Sequence, residues 1–298
     1  MKGNPLNTIF HSVYSFIKQF FELISQLLSS RSMKDVISNS ISGIEIIGRR
    51  VDVENYNNIN NLSKSLNEII VYKRTRDQEV LNIIDVGANL GFYTLAFALN
   101  HGTNVFSYEP FNESYEYLRS NVSNNNFDNV KPINIGLSDI DEKLFLGPPR
   151  YKRLKTRILK YFDRYSLGSR TIYSDVETYD EKDLSEFKLG DNEKNISKLK
   201  SVDIIKIDVE GSEIKVLNGL KETIKKSMPA IMIEINNNYD TSEIFSFLIE
   251  SGYTHFLDFS SLSESDVCSE LINIGSLRQT LDSEKIALDL VFFQENIR

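Results

Sequence analysis

One short stretch constrains this chain more than any other. Leu81-Asn82-Ile83-Ile84-Asp85-Val86 is an apolar run of strand length, followed by Gly87-Ala88-Asn89-Leu90-Gly91 and then by a helical pattern over residues 92–99. A buried strand, a tight glycine turn and a helix open a parallel sheet covered by helices. The alternation continues. Residues 104–108 read as a second strand ending at Glu109, with a helix to about residue 124, and residues 130–135 as a third strand. Residues 202–207 form a fourth strand with a helix across 212–224, and residues 230–235 a fifth. A helix over 242–250, a strand over 253–259 and a last strand over 287–293 complete the series. This pattern predicts an α/β fold whose ligands sit at the carboxyl ends of the strands.

The turn itself narrows the ligand. Its pattern is G-x-N-x-G, with Phe at position 92, and not the G-x-G-x-x-G of dinucleotide sites. Its glycines let the backbone approach a ligand closely. Asp85, at the end of the first strand, repels a pyrophosphate but suits a cation. Glu109, at the end of the second, is placed to accept both hydroxyls of a ribose. A ribose beside a positive centre describes S-adenosyl-L-methionine, not NAD. A plain tight turn would not call for an acid at both strand ends.

Residues 1–80 read as an N-terminal extension, and 81–298 as the main domain. In residues 6–28, apolar side chains from Leu6 to Leu28 recur at intervals of three and four, one face of a helix. Lys18 and Glu22 interrupt the run, so it does not read as a signal peptide. It suits docking on the domain or on a second subunit; the minority alternative is an in-plane membrane helix, whose polar face here lacks the usual basic residues. Ile44, Ile46, Val51 and Val53 suggest one or two strands around Gly48, and residues 63–72 a helix.

Composition excludes several classes. A net charge of −8 argues against a broad nucleic-acid surface. The single cysteine, Cys268, excludes an internal disulfide and a multi-cysteine metal site, and three scattered histidines make a histidine-rich centre improbable. No uninterrupted run of 18 apolar residues predicts a spanning helix, and the expected location is cytoplasmic, with peripheral membrane contact as an option. Four Asn-x-Ser sequons, at Asn61, Asn112, Asn121 and Asn195, are what chance supplies in so Asn- and Ser-rich a chain.

The charge is unevenly spread. Residues 150–170 carry eight basic side chains and one acid, a local +7 that leaves −15 for the rest. Tyrosines are interleaved with them. The insertion, residues 147–175, falls between the third and fourth strands, where loops overhang the cleft and set substrate choice. Arg150, Arg153, Arg157 and Tyr165 are therefore candidates to hold an anionic acceptor or stack on a sugar ring. A solvated surface loop is the plainer alternative.

Four blocks in order carry a family resemblance. Asp85-Val86-Gly87-Ala88-Asn89-Leu90-Gly91-Phe92-Tyr93-Thr94, Tyr108-Glu109-Pro110, Gly136-Leu137-Ser138-Asp139 and Ile205-Lys206-Ile207-Asp208-Val209-Glu210-Gly211-Ser212-Glu213 resemble the FkbM family of S-adenosylmethionine-dependent methyltransferases. The similarity spans about residues 80–294. It implies a class I methyltransferase sheet of seven strands in the order 3-2-1-4-5-7-6, the last antiparallel, and O-methylation of sugars or polyketide-type products. By the same resemblance Gly87, Asn89 and Gly91 line the methionine and ribose portion, Glu109 holds the ribose and Asp139 accepts from the adenine amino group beside Leu137 or Ser138. Thr94 is a candidate for the cofactor's carboxylate, and Asp85 and Asp208 complete the cofactor set.

Lys206, Asp208 and Glu210 alternate and should share one face of the fourth strand, a costly arrangement in sealed apolar core but tolerable in a cleft. Methyl transfer needs an acceptor oxygen held about 3 Å from the methyl group and a base for its proton. Asp208 is the first candidate for that base and Glu210 the second. Lys206 would tune or fix a neighbouring group, and Glu234, on the fifth strand, would bind substrate hydroxyls. A metal held by Asp208 and Glu234 is conceivable for a diol substrate, but two carboxylates without further ligands are weak evidence for one, and no metal is expected. The expected activity is O-methylation of a carbohydrate or glycolipid hydroxyl. The alternatives are a small natural product as acceptor, or a non-catalytic binding module on the same fold.

Overall fold

The computed structural model describes residues 36–41, 43–53, 59–74, 79–147, 171–173, 184–236, 241–263, 266–276 and 287–294. Residues 6–28, and Arg150, Arg153, Arg157 and Tyr165 of the insertion, lie outside them.

The described chain begins with a hairpin, β1 (Val36–Ile41) and β2 (Ile44–Arg49), then α1 (Arg50–Val53) and α2 (Ile59–Lys73). Ile44 and Ile46 do alternate on a strand, but Val51 and Val53 belong to a helical turn. The chain folds back over β2 at Gly48, where the missing side chain leaves room for Val53 and Leu90. Next come β3 (Leu81–Val86), α3 (Phe92–Ala98), β4 (Thr103–Tyr108), α4 (Asn112–Asn124) and β5 (Val130–Ile133).

Between β5 and the expected fourth strand the structure adds a small sheet that the sequence pattern did not predict. Its strands β6 (Gly136–Ser138), β7 (Glu142–Gly147), β8 (Thr171–Tyr173) and β9 (Leu184–Leu189) lie in the order β6-β9-β7-β8.

The main series resumes with β10 (Ile204–Ile207), α5 (Glu213–Gly219), α6 (Lys221–Ser227), β11 (Ala230–Asn236) and α7 (Ser242–Glu250). It closes with β12 (Tyr253–Asp258), α8 (Val267–Glu270), β13 (Ile272–Asn273) and β14 (Ala287–Gln294). The single helix expected over 212–224 is two, α5 and α6. Gly219 ends the first against the Ser138 carbonyl, which would lie 1.9 Å from any Cβ there.

The large sheet runs β13-β12-β14-β11-β10-β3-β4-β5. β3, β4, β5, β10 and β11 are mutually parallel, and β14 is antiparallel to both β11 and β12. Counted from β5 without the edge strand β13, the order is 3-2-1-4-5-7-6. The sheet therefore has eight strands where seven were expected, the addition being two residues long.

Both faces are buried. On one, Ile83, Ile204, Met232 and Val291 pack with Leu66, Ile69 and Ile70 of α2 and Leu95 and Phe97 of α3. On the other, Ile84, Ile205, Ile233 and Phe292 meet Val216 and Leu217 of α5 and Ile244 and Leu248 of α7. Each such side chain contributes about 1.5–3 kcal/mol of hydrophobic burial.

Residues 44–53 and 59–70 thus share a core with the glycine turn, and one buried asparagine ties β2 to it. Asn121, fully buried on α4, accepts from the Ile47 N–H at 2.7 Å and donates to the carbonyls of Ile47 and Leu90. The asparagine of that sequon is therefore enclosed by the fold. Among the described residues no helix is long and apolar enough to cross a membrane.

Candidate functional site

The turn after β3 is built by close approach. Gly87 has φ +79°, and a Cβ there would lie 1.8 Å from the Asp208 carbonyl oxygen. Its N–H, with that of Ala88, donates to the Tyr108 carbonyl, while the Asp208 N–H donates to the Val86 carbonyl at 3.0 Å. Three strand ends are thereby laced together: β3, β4 and β10. Gly91 takes φ +99° at the start of α3, against Leu118. Asn89 is itself left-handed (φ 49°), and its Oδ1 is buried without a hydrogen-bond partner.

Glu109 faces this turn. The Asn89 N–H donates to its Oε2 at 2.9 Å and the Phe111 N–H to its Oε1 at 2.8 Å, so both oxygens are fixed in direction. Its N–H donates to the carbonyl of Ile133, the last residue of β5, and its carbonyl accepts from the Asn134 side chain just beyond. Burial pushes its carboxyl up to about 7, although the two N–H donors pull it down.

Two of the cofactor candidates lie deeper than expected. Asp85 and Thr94 are fully buried, and the Thr94 hydroxyl donates to Asp85 Oδ2 at 2.6 Å while pairing with Ser107 Oγ at 2.9 Å. The Thr94 hydroxyl is thus engaged below the turn with Asp85 and Ser107. Asp85 Oδ1 has Lys206 Nζ at 3.7 Å, and burial holds the Asp85 carboxyl above its ordinary range despite that ammonium. Ser138 is buried, with its hydroxyl 3.2 Å from both Asp139 Oδ1 and Glu142 Oε1, and Asp139 beside it is half-buried.

Sheet register assembles the remaining charges. Lys206 on β10 stands beside Asp85 on β3 and Met232 on β11, so all three share the face covered by α3. Lys206 Nζ, in a side chain only 4% exposed, lies 3.1 Å from Asp208 Oδ2 and 4.5 Å from the Tyr93 ring centroid. Burial works against this ammonium, but Asp208 and Asp85 outweigh it and hold the lysine above its ordinary pKa. Two residues beyond Met232, Glu234 reaches the same edge, directly opposite Asp289 of β14. The Tyr93 hydroxyl donates to Asp289 Oδ2 at 3.1 Å. Burial first, then the charges of Asp208, Asp289 and Glu210, push the Glu234 carboxyl up to about 7.

Glu210 departs from the expected row. β10 ends at Ile207, and Glu210 turns left-handed (φ 54°) before Gly211 (φ +99°), leaving its side chain exposed at the mouth. Glu213 heads α5 and accepts from the Gly211 N–H at 2.9 Å. Lys206, Asp208 and Glu234 do come together. Tyr93 and Asp289 join them, and neither was singled out in the sequence. The signal for Asp289 was a lone acid in the apolar strand Ala-Leu-Asp-Leu-Val-Phe-Phe.

The strand order and the glycine turn at the end of the central strand define a class I methyltransferase fold. Comparison with known proteins names the family: the Methyltransferase FkbM domain matches residues 85–254, and the chain belongs to that methyltransferase family. Methyltransferase 1 of Beauveria bassiana is 26% identical over 179 residues, 57% of this chain and 70% of that protein. The hexuronic acid methyltransferase AglP of Haloferax volcanii is 27% identical over 167 residues, 56% of this chain and 61% of that protein. The crystal structure of a methyltransferase FkbM from Methylobacillus flagellatus KT aligns with a TM-score of 0.44 at 13% identity, over 74% of this chain and 45% of that one. The alignment thus takes in less than two thirds of AglP and less than half of the Methylobacillus protein.

Proposed function

We propose that this methyltransferase uses S-adenosyl-L-methionine to methylate a hydroxyl of a carbohydrate or glycolipid. The observation that carries the cofactor reading is Glu109. Its two oxygens are aimed by the Asn89 and Phe111 N–H groups beside a turn where no side chain fits at Gly87. A directed carboxylate at that position suits a ribose diol. Asn89 Oδ1 leaves an acceptor for a donor that a ligand brings. Gly87, Asn89 and Gly91 would border the methionine and ribose portion, with Ser138 and Asp139 toward the base. Asp85 and Thr94 support the floor from below.

S-adenosyl-L-methionine supplies a methyl group on a sulfonium centre. The chain's own residues must orient the acceptor and remove its proton. Glu234 is the better base than Asp208, because Asp208 is held by the Lys206 ammonium whereas the Glu234 carboxyl is poised near neutrality. Asp208 would accept a hydrogen bond from a neighbouring acceptor hydroxyl, and Glu210 would meet the acceptor at the mouth. Support for a sugar comes from the name of one relative, a hexuronic acid methyltransferase. The catalytic unit would be residues 81–298. The basic insertion, through Arg150, Arg153, Arg157 and Tyr165, would contact an acidic part of the acceptor. Residues 6–28 would serve dimerisation or peripheral contact with a membrane in the cytoplasm, a reading that rests on their spacing alone.

The test is to incubate the protein with methyl-labelled S-adenosyl-L-methionine and glycan or glycolipid extracts, then locate the label by mass spectrometry. The reading expects a base-stable methyl ether on a sugar hydroxyl. A base-labile ester, or label confined to non-carbohydrate products, would overturn the acceptor reading.

A further inference from the structure

Asp289 and Tyr93 have no part in the reading so far, yet they complete the cleft. Because β14 is antiparallel to β11, Asp289 stands directly across from Glu234. Cβ atoms of such pairs lie about 4.5–5.5 Å apart. Two partly buried carboxyls at that separation resist ionising together. Which of them keeps the proton depends on their donors.

Tyr93 favours ionised Asp289. Its hydroxyl donates to Asp289 Oδ2, a bond strongest when that carboxylate is charged. The ring is fixed in turn by Lys206, which Asp208 and Asp85 anchor. Lys206 satisfies Asp208 directly, as Tyr93 satisfies Asp289. Burial, with the charges of Asp208 and Asp258 of β12, also raises the Asp289 carboxyl above its ordinary range, but the Lys206 ammonium and the Tyr93 donor both pull it back; Glu234 has only Lys206 against burial and the charges of Asp208, Asp289 and Glu210. The pair therefore titrates as a unit, with the proton biased to Glu234.

We infer that Asp289 is a positioning residue: kept ionised by Tyr93, it strengthens the proton affinity of Glu234 and so makes Glu234 the group that takes the acceptor's proton. Only that last step rests on the proposed O-methyltransferase reading. The proton leaves the acceptor oxygen for a Glu234 carboxylate oxygen, and Asp289 stays charged throughout.

The test is a carboxyl-carbon NMR titration of the full chain with labelled Asp and Glu, the Glu234 signal assigned by its loss in Glu234→Gln. Asp289→Asn removes the opposing charge and should lower the Glu234 midpoint by about one pH unit. Tyr93→Phe keeps the ring under Lys206 but removes the donor. It should draw the proton toward Asp289, lowering the Glu234 midpoint and raising that of Asp289. If Asp289→Asn does not fold, Tyr93→Phe carries the test. Wild-type midpoints in the folded variants would overturn the inference. The titration needs no substrate: shifts without any methylated product would sink the functional reading and leave the positioning role standing. Where product forms, the acid limb of the kcat profile should move down in pH with the Glu234 midpoint, and an unmoved limb would overturn the role assigned to Asp289.

Discussion

The carbonyl oxygen of Asp208 lies 1.8 Å from where a Cβ on Gly87 would stand. The proposed cofactor turn and the proposed acceptor cleft are therefore one piece of backbone geometry. The turn can close only because β10 ends against it, and the end of β10 carries the Lys206–Asp208 pair.

Gly87→Ala tests that closeness. Alanine at φ +79° costs about 1–3 kcal/mol in backbone strain alone, and displacing the Asp208 carbonyl adds to it. Urea denaturation should show a loss of at least that size, and any folded fraction should bind S-adenosylhomocysteine poorly. Near-wild-type stability would contradict the tight contact.

Lys206→Met leaves Asp85 buried with the Thr94 hydroxyl as its donor and no cation beside it. Breaking a buried pair this way costs about 3–5 kcal/mol. Adding Asp85→Asn should recover most of that loss, since the stranded charge is then gone. The comparison is between denaturation midpoints of the single and double variants, and additive losses would count against the ion-pair account.

Burial raises the Glu109 carboxyl from the ordinary 4.5 to about 7, against the pull of the Phe111 and Asn89 donors. Between those values the folded chain keeps a proton that the unfolded chain has released. The Glu109 contribution is therefore most favourable below the unfolded value, declines as pH rises to about 7 and then levels off. Glu109→Gln removes that decline. Whatever its constant offset, the variant should gain on wild type as pH rises from about 5 to about 8 in parallel urea titrations. A constant difference across that range would show that the carboxyl is not raised.

Much of this was legible in the sequence. Strands buried in the middle of the sheet read as largely apolar runs, so β3, β4, β10, β11 and the antiparallel β14 could be located to within a residue or two. Gly87 and Glu109 stood out because they punctuate those runs. The small sheet was not legible: β6 and β8 have three residues each, β7 (Glu-Lys-Leu-Phe-Leu-Gly) and β9 (Leu-Ser-Glu-Phe-Lys-Leu) show neither a long apolar run nor a regular alternation, and their partners are set by tertiary pairing. The Tyr93–Asp289 bond joins residues 196 positions apart and depends on the antiparallel register of the last strand. Glu210 followed the period of two on paper, but the strand had already ended.

Glu234→Gln addresses the proposed chemistry. Removing a general base should lower kcat by about 10²- to 10⁴-fold while KM stays within a few-fold. In wild type, kcat/KM should climb with pH through about 7 as Glu234 loses its proton. The variant should lack that limb. A full-strength variant would return the role to Asp208.

The cofactor claim meets its most direct test in calorimetry with S-adenosylhomocysteine. The wild-type chain should bind it stoichiometrically, and Glu109→Ala, shown by circular dichroism to be folded, should lose most of the affinity. No heat of binding to the folded wild type, or equal affinity in the variant, would contradict the account.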